Sequence, residues 1–479
     1  MVSFHDFKLV FICCTIALSA NFQYAFSSTY LNTPVSQFKD YLNVSVHRME
    51  GDFTEGMYSW MWDLIQNIWF VGFFLGIWLS PAMNDRLGRK YGLIIANIAN
   101  LFAAILQFLG VWLYQPIVLL IGRTVASIFT AVSFQANVLY MQESTPTSKR
   151  GAMSYISEIS FASMTIVGTM LGTDELLGNN LPWLLAVNIP PCAIAVVAIF
   201  FIPDTPKFLL INKRNRDLAE TAIRFFHGNS TDTMAVLKEI EMESAEEAES
   251  LNSMRDVIDL FKIPHLRKAL ILSVSALQNT VGFWAFIYNS TEFLEDINVY
   301  SGIAKWSATA LCTAYFIGTV IGGTFIDRIG RRLILLPFSY ANTLCVPLFV
   351  LCCVLQPHAD WIKYIGIVIL ILFGFTYGCG VGAISWFISS ELSPIKYRSL
   401  MQSACYSINT IAVVITTFTV LPLYGVIGSY AFLILYTLPS AFALVYLTMY
   451  LPETKGREIH EIVAQLKGPQ GYIDRTYDE

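Results

Sequence analysis

Hydrophobic runs recur along the whole chain, and the polar residues that separate them are confined to short breaks. These charge-poor segments predict helices near 8–30, 58–82, 91–113, 116–141, 152–175, 183–203, 269–294, 303–326, 333–356, 363–390, 400–421 and 428–451. Each is long enough to cross a hydrocarbon layer of about 30 Å, with some tilt. The last pair leaves little choice. Residues 399–452 hold no Asp, Glu, Lys, Arg or His over 54 positions. A single helix of that length would reach about 81 Å, so the chain must cross, turn and cross back. The pattern predicts an all-α membrane protein of twelve transmembrane helices, with both termini on one side.

Composition agrees. Only 14% of the 479 residues are charged and 55% are hydrophobic; soluble domains are about 25% charged. A string of soluble domains is excluded. The net charge of −5, with no long basic tract, gives no reason to expect a nucleic-acid partner. The nine cysteines all fall in apolar stretches and read as buried thiols, and paired-Cys and His zinc spacings are absent. No Gly-rich phosphate loop, metal site or nucleophile–base set is recognisable, so neither a primary pump, a cofactor nor an enzyme is expected. The expected partners are the lipid bilayer and a small solute, with the chain acting as a monomer.

Basic residues set the orientation. With the N-terminus inside, the external Lys and Arg are Lys39, Arg48, Lys305 and Lys363, with Arg123 inside a span near its outer end. All others are internal, which predicts cytoplasmic termini. Residues 8–20 have the look of a signal peptide, but removing them would leave eleven spans. The external loop 31–57 carries a glycosylation sequon at Asn43; those at Asn229 and Asn289 fall in the cytoplasm and in a span. Asn43, and the absence of a retention tail, lean towards the plasma membrane.

The two halves repeat. Asp85-Arg86-Leu87-Gly88-Arg89-Lys90 returns as Asp327-Arg328-Ile329-Gly330-Arg331-Arg332, 242 residues on. Glu143…Pro146…Arg150 returns 248 residues on as Glu391…Pro394…Arg398, and Pro203-Asp204-Thr205 returns 249 residues on as Pro452-Glu453-Thr454. Each motif sits at the cytoplasmic end of a span. Between the halves, 204–268 holds 22 charged residues in 65. Its segments Arg216–Phe226 and Thr233–Glu243 have helical apolar spacing, and Glu241–Glu249 reads as a solvated acidic face. The predicted organisation is a half at 1–203, a cytoplasmic helical linker at 204–268, a second half at 269–451 and a tail at 452–479. Six-helix halves of this kind flank a midplane site in the major facilitator fold.

Several motifs carry a closer resemblance. They are Phe22-Gln23-Tyr24…Asn32-Thr33-Pro34, the two basic loops, Gly122-Arg123, Pro203–Leu210 and Pro452-Glu453-Thr454-Lys455-Gly456-Arg457. With them the chain resembles the sugar porter family of the major facilitator superfamily, of the animal facilitative glucose and fructose transporter type, over nearly its whole length. The last hexapeptide matches the family signature residue for residue. The resemblance implies a hexose site at the midplane. In it, Gln278 and Asn279 stand at the two helix-seven glutamine positions, Trp386 at the helix-ten tryptophan and Asn409 at the helix-eleven asparagine. Tyr288 and Asn289 stand at the two outer-gate tyrosines. Other positions depart from the family pattern: Glu158 replaces a glutamine, Trp284 and Tyr315 replace asparagines, Gly378 a glutamate and Thr410 a tryptophan. Ala383 and Ser385 replace two prolines, and Ser27 stands where proton-linked members carry Asp. The resemblance therefore implies sugar-porter ancestry without fixing the sugar.

The amides of Gln278, Asn279 and Asn409 can donate and accept towards hydroxyls, and Trp386, Trp284 and Tyr315 can line a ring. An ionisable residue in mid-span such as Glu158 is a functional-site hypothesis by default. It accepts from substrate hydroxyls, attracts a cation or carries a proton. Beneath the halves, Arg86, Arg89, Glu143 and Arg150 face Arg331, Arg332, Glu391 and Arg398 as a cytoplasmic gate, with Glu143 expected to reach Arg398, and Glu391 to reach Arg150. The function expected is facilitated diffusion of a hexose or similar polyol. Two other readings stay open: a porter of this fold for another solute, such as an organic cation or a metabolite, or coupled to protons through Glu158, and a solute sensor that does not transport.

Overall fold

The computed structural model describes residues 4–48, 55–146, 149–228, 231–247, 254–394, 397–455, 457 and 459–467. The first half contains α1 (Phe4–Thr29), the external α2 (Val35–Arg48), α3 (Glu55–Leu87), α4 (Arg89–Trp112), α5 (Pro116–Ser144) and α6 (Arg150–Leu171). Its last span is broken into α7 (Leu181–Ala186) and α8 (Ile189–Phe200), where Pro190 and Pro191 remove two backbone donors. The linker holds α9 (Pro206–Ile211), α10 (Arg216–His227), α11 (Thr233–Glu247) and α12 (Met254–Lys262).

The second half opens with a span broken into α13 (Pro264–Gln278) and α14 (Val281–Asp296). It continues through α15 (Ser301–Ile329), α16 (Arg331–Leu355), α17 (Ile362–Thr376), α18 (Gly382–Leu392), α19 (Arg398–Ile427) and α20 (Leu438–Tyr450). A single π-helical turn, Tyr377–Val381, joins α17 to α18, and another, Leu433–Thr437, precedes α20. A last short helix, α21 (Ile459–Lys467), follows.

Eleven described segments are long and apolar enough to cross a membrane. The twelfth span of this arrangement is α6, which falls short because it carries Glu158 with Ser154, Ser157, Ser160 and Ser163. Its neighbours explain that polarity: α6 packs between α1 of its own half and α15 of the other, and so faces protein where most spans face lipid. The halves meet through matched pairs, α1 with α14, α3 with α19 and α6 with α15.

The sequence repeat becomes a structural one. Gly88 and Gly330 take positive φ angles of 99° and 112°, a conformation glycine tolerates, and each turns the chain into the next helix. A carboxylate from the end of the half then closes each new helix N-terminus. Asp204 accepts from the Lys90 N–H at 3.2 Å; Glu453 accepts from the Arg331 and Arg332 N–H groups at 2.8 and 3.0 Å. A negative group at a helix N-terminus is favourable. Burial nevertheless raises the Asp204 carboxyl above its ordinary range, against those donors and the nearby Arg89.

Four short helices lie outside the expected set. The loop 31–57 contains α2, the tail contains α21, and the linker has four helices instead of two. All nine thiols are free, buried or half-buried. Part of the acidic run Glu241–Glu249 lies outside the described residues, as does the Asn229 sequon.

Candidate functional site

Where α6 meets α15 and α18, Glu158 is buried and its carboxylate accepts from the Tyr315 hydroxyl at 2.5 Å. That bond crosses between the halves. The carboxylate also lies against Gly382, the first residue after the π-helical turn; a Cβ added there would stand 2.7 Å from Glu158 Oε1. Turns of this kind recur at functional sites, because they redirect side chains and free a backbone group.

Around this bond lies a continuous set of rings. Phe161 packs edge-on to both Tyr315 and Trp284, at 6.5 and 6.2 Å between centroids. Trp284 stacks on Tyr24 at 5.8 Å, and Tyr24 meets Phe134 at 5.5 Å. Phe134 meets Trp386 at 5.6 Å, and Trp386 meets Tyr406 at 5.1 Å. The contacts Tyr24–Trp284 and Phe134–Trp386 again join opposite halves. Beside Glu158 is a cavity of about 20 Å³, between Phe134, Ser154, Ser157 and Trp386. That volume holds roughly one water molecule, so a larger solute would fit only with the halves parted.

Three polar residues at this place were not singled out from the sequence. Asn21 Nδ2 donates to the Ser157 carbonyl at 2.8 Å and to its hydroxyl at 3.1 Å, and Asn137 Nδ2 donates to the same hydroxyl at 2.6 Å. The available signal was a polar amide within a charge-poor span, which is also the mark of ordinary interhelical bonding. The Oδ1 atoms of Asn21 and Asn137 are buried without a hydrogen-bond partner.

The other expected residues sit as follows. Gln278 ends α13 half-buried, and Asn279 lies in the break that follows, its Nδ2 on the Ser275 carbonyl at 3.0 Å. Asn409, on α19, is buried with an unpartnered Oδ1, as is the Oδ1 of Asn279. No hydrogen bond joins Gln278, Asn279 or Asn409 to Glu158. Tyr288 packs on Phe70 at 5.4 Å and Trp284 at 6.3 Å; Asn289 Nδ2 turns back to the Ala285 carbonyl at 3.3 Å. Thr410 is buried, and Gly378 lets α15 approach so closely that a Cβ would stand 2.2 Å from the Tyr315 carbonyl.

The cytoplasmic charges form two matching stations. Glu143 holds Arg89 at 2.8 Å and accepts from Thr205 at 2.7 Å; Glu391 holds Arg331 at 3.3 Å and accepts from Thr454 at 2.5 Å. Both carboxylates are thus engaged within their own halves. Arg86 is exposed, Arg332 Nη2 donates to the Thr448 carbonyl at 2.7 Å, Arg398 is half-buried, and the Arg150 side chain lies outside the described residues. Between the stations, Gln142 Nε2 donates across the halves to Ser390 at 2.6 Å.

On the external side further contacts cross. Lys305 pairs with Asp174 at 2.7 Å, Lys39 with Glu292 at 3.7 Å, and Asn32 Nδ2 donates to Ser290 at 3.0 Å. Nearby, the fully buried Arg123 is held by the Ile65 carbonyl at 2.9 Å and the Tyr30 hydroxyl at 2.6 Å. Asn43 is exposed on α2.

Two pseudo-symmetric bundles closed over an aromatic-walled carboxylate define a membrane carrier of the major facilitator fold. The chain belongs to the "Sugar (and other) transporter" family, whose model matches residues 12–466. Among its relatives, the facilitated glucose transporter member 3 of Mus musculus is 26% identical over 461 residues, covering 95% of this chain and 92% of the relative. Member 1 of Gallus gallus is 24% identical over 473 residues, covering 97% and 94%. The proton:xylose symporter XylE bound to 6-bromo-6-deoxy-D-glucose shares the fold with a TM-score of 0.79 at 16% identity, covering 95% of this chain and 99% of that one. The inward-open conformation of XylE from E. coli gives 0.71 at 14% identity, covering 95% and 99%.

Proposed function

We propose that this chain moves a hexose or similar polyol down its gradient by alternating access, with cytoplasmic termini and no bond made or broken. The observation that carries the reading is the placement of Glu158, Tyr315, Trp284 and Trp386 on the seam between the halves, with separate crossing contacts above and below them. Family membership and the names of the relatives support a sugar as cargo. In this reading 1–203 and 269–451 rock about the cavity as two bodies tethered by 204–268. Gln278, Asn279 and Asn409 meet hydroxyls once the site opens, their unpartnered oxygens supplying acceptors. Tyr288 and Asn289 close the outer side. The charged stations beneath, with Arg86, Arg150, Arg332 and Arg398, bias the inner closure. The protein works as a monomer in the plasma membrane, with Asn43 on the outer face.

Counterflow of radiolabelled hexoses in proteoliposomes tests this. Exchange above protein-free vesicles is the expected result. A folded protein that exchanges no hexose or polyol would overturn it.

A further inference from the structure

Glu158 is a buried carboxyl for which the described residues supply no counter-charge: its partner is the Tyr315 hydroxyl, and no Lys, Arg or His is paired with it. A buried, unpaired carboxylate is costly, and a protein keeps one within a membrane span where it meets a ligand or an ion. The walls around it are ring faces and edges: Phe134 and Trp386 line the same cavity, and Tyr315 meets Tyr377 at 5.3 Å. Rings of this kind attract cations by their quadrupole. The remaining side is hydroxyl and amide: Ser154 and Ser157 line the cavity, with Asn137 behind them. Carboxylate, ring faces and hydrogen-bonding edge together describe a ligand with several hydroxyls and one ammonium group.

We propose that the preferred cargo is an amino sugar in its ammonium form, and that Glu158 is the residue that sets this preference over the neutral hexose. The proposal rests on the carrier reading above and narrows its substrate class. In the closed structure the Tyr315 hydroxyl occupies the carboxylate. On opening, the ammonium displaces it and forms a charge-assisted hydrogen bond, about twice as strong as a neutral one. Nothing covalent changes. Because the loaded carboxylate is neutralised by its cargo, each cycle moves one positive charge, and an inside-negative potential drives uptake.

The test is counterflow and potential-driven uptake of 2-amino-2-deoxyglucose and of glucose, in proteoliposomes holding the full chain, at a pH where the amine is protonated. The expected result is a preference for the amino sugar of about tenfold, the order of a charge-assisted bond, with uptake raised by an inside-negative potential. In Glu158→Gln, which keeps an acceptor for Tyr315, the ratio falls to within about twofold of one. If that variant does not fold, the wild-type ratio and its potential dependence decide alone. Glucose exchange without amine preference overturns this inference and leaves the carrier reading standing. A preference that survives Glu158→Gln removes Glu158 from the selection. Exchange of neither sugar overturns both readings.

Discussion

At the scale of single residues, energy is concentrated in a few polar contacts that lipid-like surroundings make hard to replace. Tyr315→Phe removes one hydroxyl and leaves the Glu158 carboxylate without its donor in a site sealed by rings. Hydrogen bonds to charged groups contribute about 1.5–3 kcal/mol, so the variant is expected to unfold at a visibly lower temperature in detergent. An unchanged midpoint would show that water replaces the phenol at no cost. The cytoplasmic stations give a second comparison. Arg89 and Glu143 are largely covered, their side chains 12% and 8% exposed. Arg89→Ala strands the carboxylate and is expected to cost about 3 kcal/mol, the low end for a broken buried pair. Arg86→Ala, on the exposed neighbour, is expected to stay within about 0.5 kcal/mol. Equal losses in the two variants would refute the assignment of Arg89 as the structural partner.

Among the elements, glycine contacts decide how near the helices come. Gly322 on α15 faces the Cys379 carbonyl in the π-helical turn, and a Cβ there would stand 2.1 Å from that oxygen. Gly425, inside α19, faces open space. Gly322→Ala is therefore expected to lower folded yield and melting temperature by forcing α15 from the π-helical turn. Gly425→Ala is expected to gain up to about 1 kcal/mol of helix propensity. Thermal unfolding of both in one detergent reads the difference in sign. Elements of this length were legible in the sequence because a span needs some twenty apolar residues, and charges then fall only at its ends. Short amphipathic helices such as α2 and α21 lack that signature, and the break at Asn279 and the turn at Tyr377–Val381 lie inside stretches without a charged residue. For the site, Glu158 was legible because a carboxylate in mid-span has few innocent explanations. Asn21 and Asn137 were not, since nothing in a single sequence separates a cavity amide from one that bonds two helices.

Taken whole, the molecule is closed on both sides of its cavity. The inner seam includes the neutral bonds from Gln142 to Ser390 and from Tyr155 to the Cys379 carbonyl, beside carboxylates that hold partners in their own halves. The outer seam includes ion pairs, and they are unequal. Lys39 and Glu292 are 40% and 32% exposed at 3.7 Å, a pair worth about 0–1 kcal/mol. The Lys305 side chain is only 8% exposed and sits 2.7 Å from Asp174, whose other oxygen accepts from Gln37 of α2 at 2.7 Å. Lys305 thus ties the second half to α2 and to the end of α6. Asp174 itself is 44% exposed, so the pair is screened; a bias of about 1 kcal/mol still moves a two-state population several-fold. Lys305→Ala is expected to increase the outward-open population several-fold, and Lys39→Ala to change it little. Spin labels at the exposed positions Asn43 and Glu295, one on each half at the outer face, would read this as growth of the longer distance component. Arg398→Ala, on the inner side, should move the same distribution the other way if Arg398 helps to shut the cytoplasmic face. A distribution unmoved by Lys305→Ala would place the outer closure in the apolar contact of Phe70 with Tyr288, where no charge takes part.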